Sequence, residues 1–471
     1  MATFKTPGVY VEEISTLAPS VAPVPTSIPG FAGYTEKAII NGEQWNYGDG
    51  TTNPVRVTSL LEYQEIFGFA NNEDFTVTLN DPQDSPVITI DRTTALTAAN
   101  YILYYQMQMF FANGGGTCYV SSVGDYTMSI SASDLKDGID KMEQIDEVTL
   151  LVAPESVFLD ITGDRADVYN NMLTQCQKME DRFAILDVVH KADNSIQEDA
   201  DDFRDDDVGA DNLKYGASYY PGLNTTIPYS YQDSNVLISD QRTSNPLNGL
   251  TLDQIAPGVP TPYTQIYTAI VNELALQRLL LYPSASMAGI YARVDSQRGV
   301  WKAPANTGIL SISRPAIQIT DQEQENLNVD SVSGKSINAI RQFAGRGNLV
   351  WGARTLAGND NEWRYINVRR LFLYVEESIK KATEFVVFES NTATTWTKVR
   401  GTAEAFLTSL WRDGALAGAT TQDAFFVHVG LGTTMTAQDI LEGRMNVEIG
   451  LAAVRPAEFI ILRFSHKLQE S

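Results

Sequence analysis

At 471 residues, 43% apolar and 20% charged, the chain is long enough for two or more domains, each able to bury a core. Its formal charge of −24 is unevenly spread: residues 331–471 carry 16 Lys and Arg against 14 Asp and Glu, the first 330 carry 18 against 44. Such acidity argues against a broad nucleic-acid surface, and no apolar run has the length of a membrane span, so neither nucleic acid nor direct membrane insertion is expected.

Cys118 and Cys176 share no metal-like spacing and are expected as buried, reduced thiols, as in a protein assembled in a cytoplasm. The N-terminus lacks the cationic start and apolar stretch of a secretory signal, so exit from a cell is expected by lysis or within a particle.

In chain order, residues 1–17 hold a short β-prone run, Thr6–Ile14, in which Val9, Tyr10, Val11 and Ile14 are the residues for burial. Residues 18–30 follow as a stiff tether with Pro19, Pro23, Pro25 and Pro29, which spans up to about 40 Å at a polyproline rise. Phe31–Ile40 and Val55–Phe69 read as a strand followed by a short helix. Phe75–Leu79 and Pro86–Ile90 read as a β-hairpin.

The pattern then alternates. Ala95–Ala112 is helical, stopped by Asn113-Gly114-Gly115-Gly116, and Thr117–Val123 and Val148–Val152 are strands. Asp164–Glu180 is an amphipathic helix and Phe183–Val189 a strand, so an α/β layer is expected. Glu198–Asp207 is a charge run, expected as a solvated loop. Leu213–Tyr220 is a strand, Gly222–Thr261 a long polar segment without period, and Tyr263–Tyr282 a single long helix ended by Pro283. Beyond Trp301, Ile337–Phe343, Val368–Glu384 and Trp396–Leu410 have helical spacing, whereas Phe425–Val429, Met445–Ile449 and Phe459–Phe464 have strand character. Phe459, Ile460, Ile461, Leu462 and Phe464 thus form a second arm, within residues 456–471. Bare apolar strands at both ends are an aggregation hazard unless a sheet edge elsewhere accepts them, and donation to a neighbouring subunit is their physical use.

Motifs for catalysis are missing. Ser333-Gly334-Lys335-Ser336 resembles the end of a phosphate loop, but Val329 stands where that loop needs a further Gly. Gly114-Gly115-Gly116 follows a helix rather than opening one, and so reads as its cap. His190, His428 and His466 are far apart and none belongs to a His-Glu-x-x-His motif. No Gly-x-Ser-x-Gly elbow occurs. Glu376 and Glu377 are adjacent on a helix and point apart. No catalytic, cofactor or metal residue is assigned; the expectation is a non-enzymatic protein without cofactors.

Several blocks carry a family resemblance. They are TPGVYVEE at the front, PSASMAGIYARVDSQRGVWKAPAN over Pro283–Asn306, Ile337–Arg341, Val350–Leu356, Trp363–Phe372, Val387–Asn391 and Arg455–Phe459. In this order they resemble the tail sheath proteins of contractile bacteriophages, R-type pyocins and related contractile injection systems. Residues Asn41–Asp91 and Gly222–Thr261 fit no pattern and read as decorations.

The resemblance implies an α/β (mixed α+β) multidomain fold with an outer acidic α/β domain at 31–300 inserted into an inner domain at 301–455, and terminal strands exchanged between subunits. It implies helical self-polymerisation around an inner tube protein, contact with baseplate and tail terminator or cap proteins, possible co-assembly with paralogous sheath chains, and residence in a phage tail or tail-like particle, extracellular after release. Phe425, Phe426, Val427, Val447 and Ile449 are the candidate acceptor sheet for the arms. Lys398, Arg400, Glu404 and Arg412, on the helix through Trp396–Leu410, are candidates to face the tube, with Val368–Glu384 as the other helix considered. Contraction is then a bistable repacking that keeps the arms connected and needs no nucleotide. The competing readings are a capsid or adhesin subunit with swapped arms but no contraction, and an α/β enzyme whose site no motif betrays.

Overall fold

A computed structural model describes residues 21–40, 42–44, 54–80, 87–92, 101–159, 163–242, 244, 246–259 and 263–461. Contacts divide the chain into two compact units. One comprises Pro25–Tyr374 and Arg455–Ser471, the other Met1–Val24 and Val375–Val454; the division falls within the helix Ile366–Thr383. Val9, Tyr10, Val11, Ile14, Leu462 and Phe464 lie outside the described residues.

The larger unit is organised by a nine-stranded sheet. Its order is Thr307–Gly308, Gly347–Val350, Ile337–Phe343, Gly216–Tyr220, Phe183–Asp187, Leu150–Val152, Pro29–Tyr34, Cys118–Gly124 and Val55–Val57. The six strands from Ile337–Phe343 to Cys118–Gly124 are parallel to one another, and the outer three pair antiparallel. Helices cover it in pairs: Leu103–Ala112 packs with Ser284–Arg298, and Ala132–Lys141 with Asp164–Met179. Strands covered this way read as continuous apolar runs, and Phe183–Asp187 is buried at every position.

That rule explains one correction. Ile337–Phe343 is a strand, not a helix: Ile337, Asn338, Ala339 and Ile340 are all at most 1% exposed, so burial on both faces erased the period-two signal. A second correction concerns the charge run. Residues Ile196–Asp202 form a helix opened by a Ser195–Glu198 capping box, continued by one wider turn over Phe203–Asp207. Asp199, Arg204 and Asp207 are buried there rather than solvated, Asp207 pairing with Arg165 at 2.9 Å. Arg204 donates to the carbonyl of Lys335 at 3.0 Å, and the Lys335 ammonium donates to the carbonyls of Arg204 and Val208. The lysine of the phosphate-loop look-alike therefore holds two segments together. Third, the stretch expected as one helix ends at Leu274, and Arg278–Leu281 is a strand.

The two segments read as unrelated decorations meet. Val236–Asp240 pairs in parallel with Phe75–Asn80, which pairs antiparallel with Val87–Arg92. Phe75, Val77, Leu79, Val236, Ile238, Leu247, Leu252, Ile255, Ile270 and Leu274 form a second core beneath this sheet. Ile337–Phe343 pairs with Gly216–Tyr220 in the main sheet, and residues 301–374 fall in the same compact unit as the region before them.

Close helix packing depends on Gly289. A Cβ there would stand 2.4 Å from the carbonyl oxygen of Phe110, a backbone atom that cannot swing aside. Gly289→Val is expected to force apart the helices Leu103–Ala112 and Ser284–Arg298 and to destabilise the unit by about 1–3 kcal/mol or more. An unchanged thermal midpoint would contradict this.

Candidate assembly site: the terminal arms and the open two-stranded sheet

In the smaller unit, Phe425–Val429 pairs antiparallel with Val447–Leu451, with Phe425 opposite Leu451 and Val427 opposite Ile449. Among the described residues these two strands pair with no third strand. A two-stranded sheet leaves one edge of each strand unpaired, which is the geometry that accepts an added strand. The helix Ala393–Arg412 packs on Phe425–Val429, burying Val399, Ala403, Phe406, Leu407 and Leu410 and, from the sheet, Val427 and Val429. The other face is turned outward: Phe426 is 43% exposed, stacks on His428, and its ring lies where a side chain on Gly450 would be. Of the acceptor candidates, Phe425, Phe426, Val427, Val447 and Ile449 all sit on this sheet.

Lys398, Arg400, Glu404 and Arg412 lie on the exposed side of Ala393–Arg412. Arg400 is engaged, its guanidinium donating to the Val429 carbonyl at 2.7 Å; Lys398, Glu404 and Arg412 face outward. Between the helices Ile366–Thr383 and Ala393–Arg412, Val387 and Phe388 are exposed, Phe388 at a left-handed φ of 69°.

Within the larger unit, the chain is fixed near the tether and beside Glu458. At the N-terminal side, Thr26 donates to Asp295 at 2.7 Å, and its carbonyl accepts from Arg370 at 2.8 Å. Arg370 and Asp295 form a buried pair at 2.6 Å. The tether is thus held at Thr26, and Pro29 and Gly30 already belong to the strand Pro29–Tyr34. At the C-terminal side Phe459, Ile460 and Ile461 are 71–78% exposed and, unlike the strand expected from sequence, are in no strand of this single chain. Sequence reasoning missed Thr26, Asp295, Arg354, Arg370 and Glu458. No motif signals pairs so far apart in the chain, although Arg354, Arg370 and Glu458 all fall inside the blocks that carried the resemblance.

The phage tail sheath protein central domain matches residues 129–356, and the phage tail sheath C-terminal domain matches 358–467. The tail sheath protein of Enterobacteria phage T4 is 32% identical over 127 residues, covering 26% of this chain and 18% of that protein. The tail sheath protein of Vibrio phage KVP40 is 28% identical over 130 residues, covering 27% of this chain and 19% of that protein. These matches span less than a fifth of the phage proteins' own length.

Solved structures match along almost the whole chain. The sheath complex of the extracellular contractile injection system PVC, in its contracted state, is 32% identical with a TM-score of 0.65, covering 99% of both chains. The contracted baseplate structure of the anti-feeding prophage contains a chain 27% identical with a TM-score of 0.68, covering 99% of this chain and 100% of that one. The chain belongs to the contractile tail sheath family, whose members are structural proteins and not enzymes.

Proposed function

We propose that this protein is the subunit of a contractile sheath in a phage tail or tail-like particle, polymerising helically around an inner tube and shortening to drive that tube through a target envelope. The observation that carries this reading is the likeness, along 99% of both chains, to a sheath in its contracted state. Subunits stay connected by lending residues 1–17 and the run from Phe459 onward to the open sheet of Phe425–Val429 and Val447–Leu451 in neighbouring copies. The helix Ala393–Arg412 faces the tube through Lys398, Arg400, Glu404 and Arg412. Baseplate and terminator proteins cap the polymer. Assembly takes place in the bacterial cytoplasm, before release.

Each lent strand gains backbone hydrogen bonds worth roughly 0.5–1.5 kcal/mol net, and about 1.5–3 kcal/mol for each large apolar side chain fully buried. Links of this size survive while the larger faces slide and repack, so contraction follows from a difference in buried interface between two packings. Removing residues 1–17, or truncating after Arg455, should leave a folded protomer that forms no tubes in negative-stain micrographs, whereas the full chain forms them. Normal tubes from both truncations would refute the arm exchange; shells from the full chain would favour a capsid.

A further inference from the structure

Along Pro456–Ile461 the usual order of burial is inverted. Glu458 has a side chain only 22% exposed, whereas the apolar residues that follow it, Phe459, Ile460 and Ile461, stand 71–78% exposed. The carboxylate is held from three directions. Arg354 forks onto it with Nη2 at 2.6 Å and Nε at 2.9 Å, Asn328 Nδ2 donates at 2.8 Å, and the Tyr365 hydroxyl donates at 3.2 Å. Arg354 is itself fixed: its guanidinium is 4% exposed and donates to the carbonyls of Asn328 and Gly358, and its backbone N–H donates to Asn338 Oδ1 at 2.8 Å. Burial alone would raise the Glu458 pKa, but the donors from Arg354 and Asn328 outweigh it and hold the acid below its usual range.

A bidentate guanidinium–carboxylate pair sets orientation as well as position, because both N–H bonds must stay in one plane. Here that geometry acts on the residue just before an apolar run whose described members, Phe459, Ile460 and Ile461, are exposed. Burial of those three side chains is what a free-standing protomer forgoes.

We propose that Arg354 and Glu458 form a clamp that fixes the point and direction at which the C-terminal arm leaves the subunit, so that Phe459 and the residues after it are aimed at a second copy of this chain. The inference rests on the proposed exchange of arms. The clamp acts by effective concentration: an arm that starts at Glu458 samples a small volume around its acceptor, whereas one released at this point sweeps a larger one. Arg354 and Glu458 are positioning residues, and the contact with the neighbour is made by the apolar run.

The test compares the full chain, Glu458→Gln, Glu458→Ala, Arg354→Met, the double variant Arg354→Met/Glu458→Ala, and a truncation after Glu458. Two readouts are used: the lowest protein concentration giving pelletable sheath, and the rate of chymotryptic cleavage at Phe459 in unassembled protein, with melting curves as a control on folding. Expected are faster cleavage and about a tenfold higher assembly concentration for either Glu458 variant at a temperature where melting curves show both still folded, with the double variant no worse than the single ones. Wild-type values for Glu458→Gln and Glu458→Ala, or additive losses in the double variant, would overturn the clamp while assembly loss in the truncation kept the arm exchange standing. Normal assembly of the truncation would instead overturn the exchange itself. Should Arg354→Met fail to fold, the two Glu458 variants decide alone.

Discussion

Glu155→Ala is expected to cost about 3–5 kcal/mol of protomer stability and to abolish most of the soluble yield. Glu155 is completely buried, and both carboxylate oxygens are in use. Oε2 accepts the Tyr34 N–H at 2.7 Å, and Oε1 accepts those of Ile102 at 3.0 Å and Leu103 at 3.1 Å. The last two open the helix Leu103–Ala112, whose own N-cap residue, Ile102, offers no side-chain acceptor. Glu155 therefore satisfies orphan donors that the helix cannot satisfy by itself, and links that helix to the strand Pro29–Tyr34. Alanine would strand three N–H groups away from water. Glutamine is no remedy, since its amide nitrogen would face one of the donors. Space is equally tight: a Cβ on Gly33 would come within 2.7 Å of Glu155 Oε2. A Glu155→Gln variant as stable as wild type in urea unfolding would show that both oxygens are not needed.

The second large effect is on pH dependence. Burial raises Glu155 to about 8 and Asp187 to about 7, from ordinary values of 4.5 and 3.8, against the opposing pull of their N–H donors. Both folded values lie above the unfolded ones. Between about pH 4 and 8 these two groups thus hold protons in the folded state that they have released in the unfolded chain, and their contribution to stability falls as pH rises through this window, levelling off above it. Asp187 makes the cleaner probe. Its Oδ1 accepts the Ser284 N–H at 2.8 Å at the start of the helix Ser284–Arg298, a bond that an asparagine Oδ1 can keep. Asp187→Asn should flatten the decline by on the order of 2–4 kcal/mol between pH 5 and 8 and melt higher than wild type at pH 8. Parallel curves for the two proteins would refute it.

Much of the α/β layer was readable in advance, for reasons local to each segment. Asp164–Met179 has a clear amphipathic spacing, and Asn113-Gly114-Gly115 stops a helix because Gly114 adopts a φ of 103° that side-chain-bearing residues avoid. The strand Phe425–Val429 keeps one buried and one outward face, so its alternation survived, whereas its partner Val447–Leu451 has no buried residue. Ile337–Phe343 was misread because its burial is two-sided. The run Glu198–Asp207 was misread because charge density favours solvent unless partners exist, and its partners, Arg165 and Lys335, come from elsewhere in the chain.

Composition, the apolar runs near both termini and the order of short blocks were enough, by themselves, to determine a sheath-family assembly protein of mixed α/β class. These are properties of neighbouring residues and of spacing, which a linear chain displays openly. Only the tertiary structure decided that residues 75–92 and 236–274 share one core, that the helix Ile366–Thr383 carries the division between the compact units, and that Glu458 is seized by Arg354 across 104 positions. Pairing at such separations depends on which backbone groups fold brings within hydrogen-bonding reach, and nothing in local periodicity encodes that choice.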